Sequence, residues 1–291
     1  MLPRIPMFLL LLCAGLLLGG CRTVPRSAAV TGVLSGELVW AGEVYLAGDV
    51  ILAPEARLTI RPGTTVHFLP PNSAPGGLTE HPHFPGSELI VQGQLSAVGT
   101  ADAPIRFVAA DQQAPAGSWG ALNFEAGAEG AFAYCLFRQA DSAIHSRDSR
   151  VAIEESLFEE NLVGIRFHSS DMRIEHNLLR NNDIAIRFHF GAPEVRHNRF
   201  ATNRVNLFIT AHPRDYLFAN NQFGTPLEYQ VVLGEEVPED VNLAGNAWDG
   251  AAPEVLTERL FDGRSVPYLG TVQVEPLLAT PPEGAGTAWI R

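Results

Sequence analysis

The sequence predicts an all-β chain wound as a right-handed parallel β-helix, a solenoid of about eight coils with a short C-terminal cap. Three observations carry this. A segment pattern recurs every 21 residues through the middle of the chain. Within each segment apolar and polar residues alternate with a period of two, as a strand with one buried face requires. An asparagine returns at one fixed position of the repeat, which suits a turn.

The repeat is read directly. Phe132-Ala-Tyr-Cys135-Leu-Phe137 aligns with Ile153-Glu-Glu-Ser156-Leu-Phe158, Ile174-Glu-His-Asn177-Leu-Leu179 and Val195-Arg-His-Asn198-Arg-Phe200. Longer steps lead to Phe218-Ala-Asn-Asn221-Gln-Phe223 and Leu243-Ala-Gly-Asn246-Ala-Trp248. A second segment keeps the same step, and Gly164-Ile-Arg-Phe-His168 nearly repeats as Ala185-Ile-Arg-Phe-His189. Ile165 and Phe167 should face inward, with Arg166 and His168 outward. Asn177, Asn198, Asn221 and Asn246 should stack as a buried amide ladder, with Ser156 and Cys135 on its earlier rungs. An orphaned buried polar group costs about 1–3 kcal/mol, so such a column requires coils in register.

The N-terminal half has looser coils. Val44 to Leu52, Ala56 to Phe68, Glu88 to Leu95, Pro104 to Phe107 and Trp119 to Phe124 are β-rich runs broken by Gly and Pro. The β-helix should span 36–250. Residues 27–43 are expected to cap one end, Pro253 to Phe261 to form a short helix with Pro at its start, and the Pro/Gly/Ala-rich tail from Ala279 to be loose, so that 251–291 form a C-terminal cap and tail.

Residues 1–20 read as a signal peptide, with Arg4 before an apolar run from Phe8 to Leu18 that is short for a bilayer span. Leu18-Gly19-Gly20-Cys21 resembles the bacterial lipobox, which implies lipidation of Cys21, residues 21–35 as anchor and linker, and membrane attachment through the lipid. Arg22 rather than Asp after the cysteine directs the expectation to the outer membrane, on its periplasmic or its outer side. With Cys13 in the signal and Cys21 acylated, Cys135 has no disulfide partner. The formal charge is −12 and all 20 basic residues are arginine, which argues against nucleic-acid binding. No cofactor is expected.

On these repeats, and on Thr59-Ile-Arg-Pro-Gly-Thr64, Gly99-Thr-Ala-Asp-Ala-Pro-Ile105 and the ending Gly245-Asn-Ala-Trp-Asp-Gly250 with Val274-Glu-Pro-Leu277, the chain resembles the right-handed parallel β-helix (pectin-lyase-like) proteins. The ending matches in part, since Ala247 replaces a Trp and Asp249 is inserted. A leucine-rich repeat shares the period and an Asn rung but has a denser Leu pattern. In β-helix lyases and hydrolases the substrate lies along the outside of one sheet. The resemblance implies that the equivalent surface here carries His145, Arg166 and Arg187 in one column, and Arg147, His168 and His189 in the next. Arginine suits bidentate recognition of carboxylate or sulfate. Adjacent arginines also repel unless something anionic lies across them. A non-catalytic glycan-binding or structural envelope module is therefore the expectation, with a polysaccharide lyase or glycoside hydrolase on the same face as the alternative.

The hydrolase motifs are absent apart from Asn181-Asn182-Asp183, and no acidic pair faces the Arg/His columns, although Asp141 and Asp183 lie in the preceding turns. Glu155, His176 and His197 form a third column, and His81-Pro-His83 lies in the Pro-rich stretch Leu69 to Gly86. Both offer metal-ligand chemistry without a fourth ligand. The columns Arg138/Glu159/Arg180 and Glu154/Glu175/Arg196 read as solvated charge ladders.

Overall fold

A computed structural model describes residues 29–70, 84–249 and 253–290. Cys21, the signal segment and His81 and His83 lie outside the described residues. The chain is an all-β parallel solenoid of about ten turns, rather than eight, with a single five-residue helix, Pro253–Thr257, among the described residues.

A middle coil shows how each turn is made. Arg150–Glu154, Leu157–Glu159 and Val163–His168 are three strands separated by sharp corners, and each pairs in parallel with its equivalent one coil on, at Asp171–Glu175, Leu178–Arg180 and Ile184–His189. Three stacks result. The first contains eight strands, from Glu37–Trp40 to Leu217–Ala219. The second runs to Ala247–Trp248, and the third from Val30–Leu34 to Leu260–Phe261.

Corners turn on residues in the left-handed region. Glu155, His176 and His197 have φ of 46°, 55° and 52°, as do Glu160, Asn181 and Thr202 at the next corner, near 55°. A non-glycine residue there is uncommon and costs about 1–2 kcal/mol. The residue that follows repays this by pointing inward and bonding the coil above. Asn177 N–H and Nδ2 both donate to Asn198 Oδ1 (2.9 and 3.0 Å), Asn198 does the same to Asn221, and Asn221 to Asn246. Ser156 and Cys135 continue the column upward through Ser156 Oγ. Every rung is fully buried.

A second amide ladder stands at the next corner, where Asn161, Asn182 and Asn203 repeat the pattern. It falls on the same 21-residue step, so Asn182 of the Asn181-Asn182-Asp183 segment is a rung of this ladder.

Between the corners the core is a set of like-on-like columns. Phe137 and Phe158 stack at 4.5 Å between centroids, Phe167 and Phe188 at 4.9 Å, and Phe223 and Trp248 at 4.2 Å. Parallel, offset rings in such columns contribute beyond their burial by about 0.5–1.5 kcal/mol per pair. Ala143, Gly164 and Ala185 precede the inward isoleucines, and at Gly164 a Cβ would approach Ala185 O to 2.7 Å, so that coil takes glycine. Val163, Ile184 and Val205 form a separate buried apolar cluster, with Phe208, Tyr229 and Val232 packed against it.

The ends differ from expectation. Val30–Leu34 pairs with Glu43–Leu52, and Glu37–Trp40 with Arg57–Ile60, so residues 30–40 are coil rather than linker or cap. Leu260–Phe261 pairs with Tyr229–Glu236, which carries the stack beyond residue 250. The tail is not loose. Trp289 Nε1 donates to Glu155 O (2.6 Å), Gly286 N to His197 O (2.8 Å), and His176 Nδ1 to Gly284 O (2.8 Å), so the tail runs back along the corner as a strap. A repeat cannot forecast this, because the strap is held mostly by backbone groups of its own and of the corner.

Candidate functional site

The third stack builds the Arg/His face. Its register sets Asn123 beside His145, His145 beside Arg166, and Arg166 beside Arg187. One pleat on, Arg147 lies beside His168, and His168 beside His189. The inward Ile165 and Phe167 against Ile186 and Phe188 hold that register, since a one-residue slip would bury the charges. All six expected residues, His145, Arg147, Arg166, His168, Arg187 and His189, line one shallow depression of about 380 Å³ together with Thr210. A second depression of about 410 Å³, which includes Gln92, Asn123, Glu125 and Asp148, shares His145 and Arg147 with the first, so the two adjoin.

The like-charged arginines are spaced by their neighbours. Arg166 lies over the Phe84 ring at 5.6 Å, and Arg187 over Phe208 at 5.0 Å. Each such contact contributes about 0.5–2 kcal/mol, more as the cation loses water. Burial, and then the charge of Arg187, lower the proton affinity of Arg166, while Asp141 opposes. His168 and His189 stack at 4.8 Å and 12°. His189 is held below the usual imidazole range, first by burial, then by His168 and Arg187, with Glu236 opposing at 3.6 Å. His168 Nδ1 is buried without a hydrogen-bond partner. The lining of the first depression thus combines three guanidinium groups with imidazoles, and contains no carboxylate.

His145 is the buried member, 5% exposed. Burial, then Arg166, Arg147 and His168, push it down to about 3, so it is neutral at ordinary pH. Its Nδ1 is 2.7 Å from Asn123 Oδ1, and Asn123 Nδ2 is 3.2 Å from Glu88 Oε2. Glu88 is 1% exposed and also accepts from Phe84 N–H at 2.6 Å. Burial raises its carboxyl to about 8, with Asp49 and Asp141 adding to the shift and the two hydrogen bonds opposing it.

Phe84, Glu88, Asn123 and Phe208 were missed by sequence reasoning. Phe208 is 21 residues after Arg187 and was available from the repeat. Asn123 is 22 before His145, because a register shift between Ser142 and Ile144 breaks the period. Glu88 precedes the regular coils, and only the pairing of Glu88–Val91 with Trp119–Phe124 brings it near.

The other candidates have partners of their own. Glu155, His176 and His197 stand at the strapped corner, where His176 and His197 stack at 4.9 Å and His176 Nδ1 is engaged by the tail. Among the described residues no group of three His, Cys, Asp or Glu is arranged to hold a metal ion. Asp183 pairs with Arg204 (2.5 Å), Arg180 with Glu159 (2.8 Å), and Arg196 with Glu175 (2.8 Å), as charge ladders do. Cys135 is a buried free thiol. No described helix is long and apolar enough to cross a membrane. Comparison with family models, with curated proteins and with solved structures returned no match to this chain.

Proposed function

We propose that this protein is a cell-envelope solenoid, attached by lipid on Cys21 at the outer membrane, whose Arg/His face binds an extended anionic polysaccharide without cleaving it. The observation that carries this reading is the lining of the first depression: Arg147, Arg166 and Arg187 converge there with no carboxylate among them. Arg166 and Arg187, which form no ion pair among the described residues, favour an anion across them, while Arg147 lies 3.7 Å from Asp148; the adjoining second depression extends the surface along the rod. The first depression offers no carboxylate pair for hydrolysis, and the carboxylates Glu125 and Asp148 line only the second. The lipobox-like Leu18 to Cys21 and the resemblance to pectin-lyase-like proteins support an envelope setting and a glycan ligand.

A lyase is the second reading, favoured by Arg166 alone, whose lowered proton affinity suits a base that removes a proton beside a uronate carboxylate. Both readings are tested with the soluble protein beginning after Cys21, on a panel of acidic and neutral polysaccharides, with and without calcium. Binding should be retained by acidic glycans, weaken steeply with salt, and release no new chain ends. Release of ends that disappears in Arg166→Ala and Arg187→Ala would replace binding by cleavage. Equal retention of neutral and acidic glycans would remove the anionic ligand.

A further inference from the structure

We propose that Glu88 and Asn123 are positioning residues that set which ring nitrogen of His145 carries the proton, and so whether this part of the face donates or accepts a hydrogen bond. This rests on the reading of the Arg/His face as a ligand surface. The three side chains form one chain of contacts: Glu88 Oε2 to Asn123 at 3.2 Å, and Asn123 to His145 Nδ1 at 2.7 Å. His145 lies where the two depressions meet, and its other nitrogen, Nε2, is the one Asn123 does not engage.

Two proton arrangements satisfy these positions. With Glu88 ionised, its Oε2 accepts from the Asn123 amide, Asn123 Oδ1 accepts from His145 Nδ1–H, and Nε2 carries a lone pair. With Glu88 protonated on Oε2, that hydroxyl donates to the Asn123 oxygen. The amide is then turned over, its NH2 donates to His145 Nδ1, and the ring proton sits on Nε2. In both, Phe84 N–H donates to Glu88 Oε1. Between them Glu88 exchanges one proton with solvent, while His145 loses one at Nδ1 and gains one at Nε2 and stays neutral. A primary amide carries an acceptor and a donor side by side and exchanges them by turning over in place, so the fit of Asn to this position has a reason that packing does not supply.

The groups around the relay hold it to these two states. Asp49 and Asp141 act on Glu88 and disfavour its ionised form. Arg166, Arg147 and His168 act on His145 and disfavour an imidazolium. The exchange is therefore centred near the Glu88 midpoint of about 8. Below it the face presents Nε2–H, a donor suited to a carboxylate. Above it the face presents a lone pair, which a carboxylate does not accept.

The test uses the full chain in detergent with 15N-labelled histidine, the His145 ring signals being assigned by their loss in His145→Gln. In the wild type the proton should sit on Nε2 below pH 8 and on Nδ1 above it. Glu88→Gln, which donates permanently, should fix it on Nε2 throughout. Asn123→Leu, which cuts the relay, should abolish the response to pH. Polygalacturonate retention should weaken about fivefold across the same pH in the wild type, the worth of one hydrogen bond, and stay level in Glu88→Gln. An unchanged tautomer in the wild type, or a switch that persists in Asn123→Leu, overturns the proposal. A switching tautomer with no polygalacturonate retained at any pH keeps the relay and overturns the glycan reading instead.

Discussion

Glu88 and His145 are two buried ionisable groups whose effects on stability oppose one another. The folded state raises the Glu88 carboxyl to about 8, so between its ordinary value of 4.5 and 8 the folded chain holds a proton that the unfolded chain has lost, and stability falls as pH rises. His145 is lowered from 6.5 to about 3, so across that range the unfolded chain takes up a proton the folded chain refuses, and stability falls as pH drops. From pH 4.5 to 6.5 the two slopes offset. Above 6.5 Glu88 acts alone. The urea midpoint should decline from pH 6.5 to 8.5 by an amount equivalent to about 2 kcal/mol, and Glu88→Gln should lose that decline; a parallel decline in the variant would place its origin elsewhere. At the proposed ligand surface, Arg166→Ala and Arg187→Ala should each weaken acidic-glycan retention about tenfold, with a shallower salt dependence, while thermal stability changes by no more than the loss of one cation–π contact, because each cation is half-buried and forms no ion pair among the described residues. Equal retention by wild type and both variants in low salt would show that the glycan contacts lie elsewhere.

At the scale of the element, the corner is the unit that decides the coil. At His176, Asn181, His197, Thr202 and Asn220 the left-handed residue is followed by an inward Asn that bonds neighbouring coils. Asn198 accepts from Asn177 and donates to Ile174 O and Asn221. Asn198→Ala would orphan a buried N–H and a buried C=O at one stroke. The expected loss is about 3 kcal/mol, read from denaturant unfolding. Ser156, at an upper rung, makes fewer bonds, and Ser156→Ala should cost less than half as much. Equal losses at the two positions would mean that the ladder acts through packing volume rather than through its hydrogen bonds.

At the scale of the whole molecule, a solenoid is held by nearest neighbours, so its stability is close to a sum over coils and their interfaces. The C-terminal strap departs from that rule. By bonding Glu155, His176 and His197 it links three successive coils to residues 134, 108 and 89 positions away. Removal of residues 282–291 should leave the stack folded, since every strand pairing among the described residues lies before residue 274. Amide exchange should then quicken selectively at these corners, by about tenfold for a loss near 1.4 kcal/mol. Uniformly faster exchange along the rod would instead make the strap a global clamp.

The periodic part of this protein is written in its sequence. A 21-residue step, with apolar residues at alternate positions and Asn at one turn, determines the parallel stack, its inward faces, the amide ladder and the two Arg/His columns. Identical coils can bury identical side chains only by stacking in register. What breaks the period was decided by tertiary structure. The register shift that sets Asn123 beside His145, the approach of Phe84 to Arg166, and the burial that lifts Glu88 all depend on where non-repeating segments meet the stack. So does the return of the tail to the Glu155 corner, where Trp289 meets a backbone carbonyl. A backbone carbonyl carries no residue identity, and a carboxyl's proton affinity depends on its surroundings rather than its neighbours in the chain. Sequence periodicity therefore determined the rod and its columns, while contacts between distant segments decided the chemistry on its face.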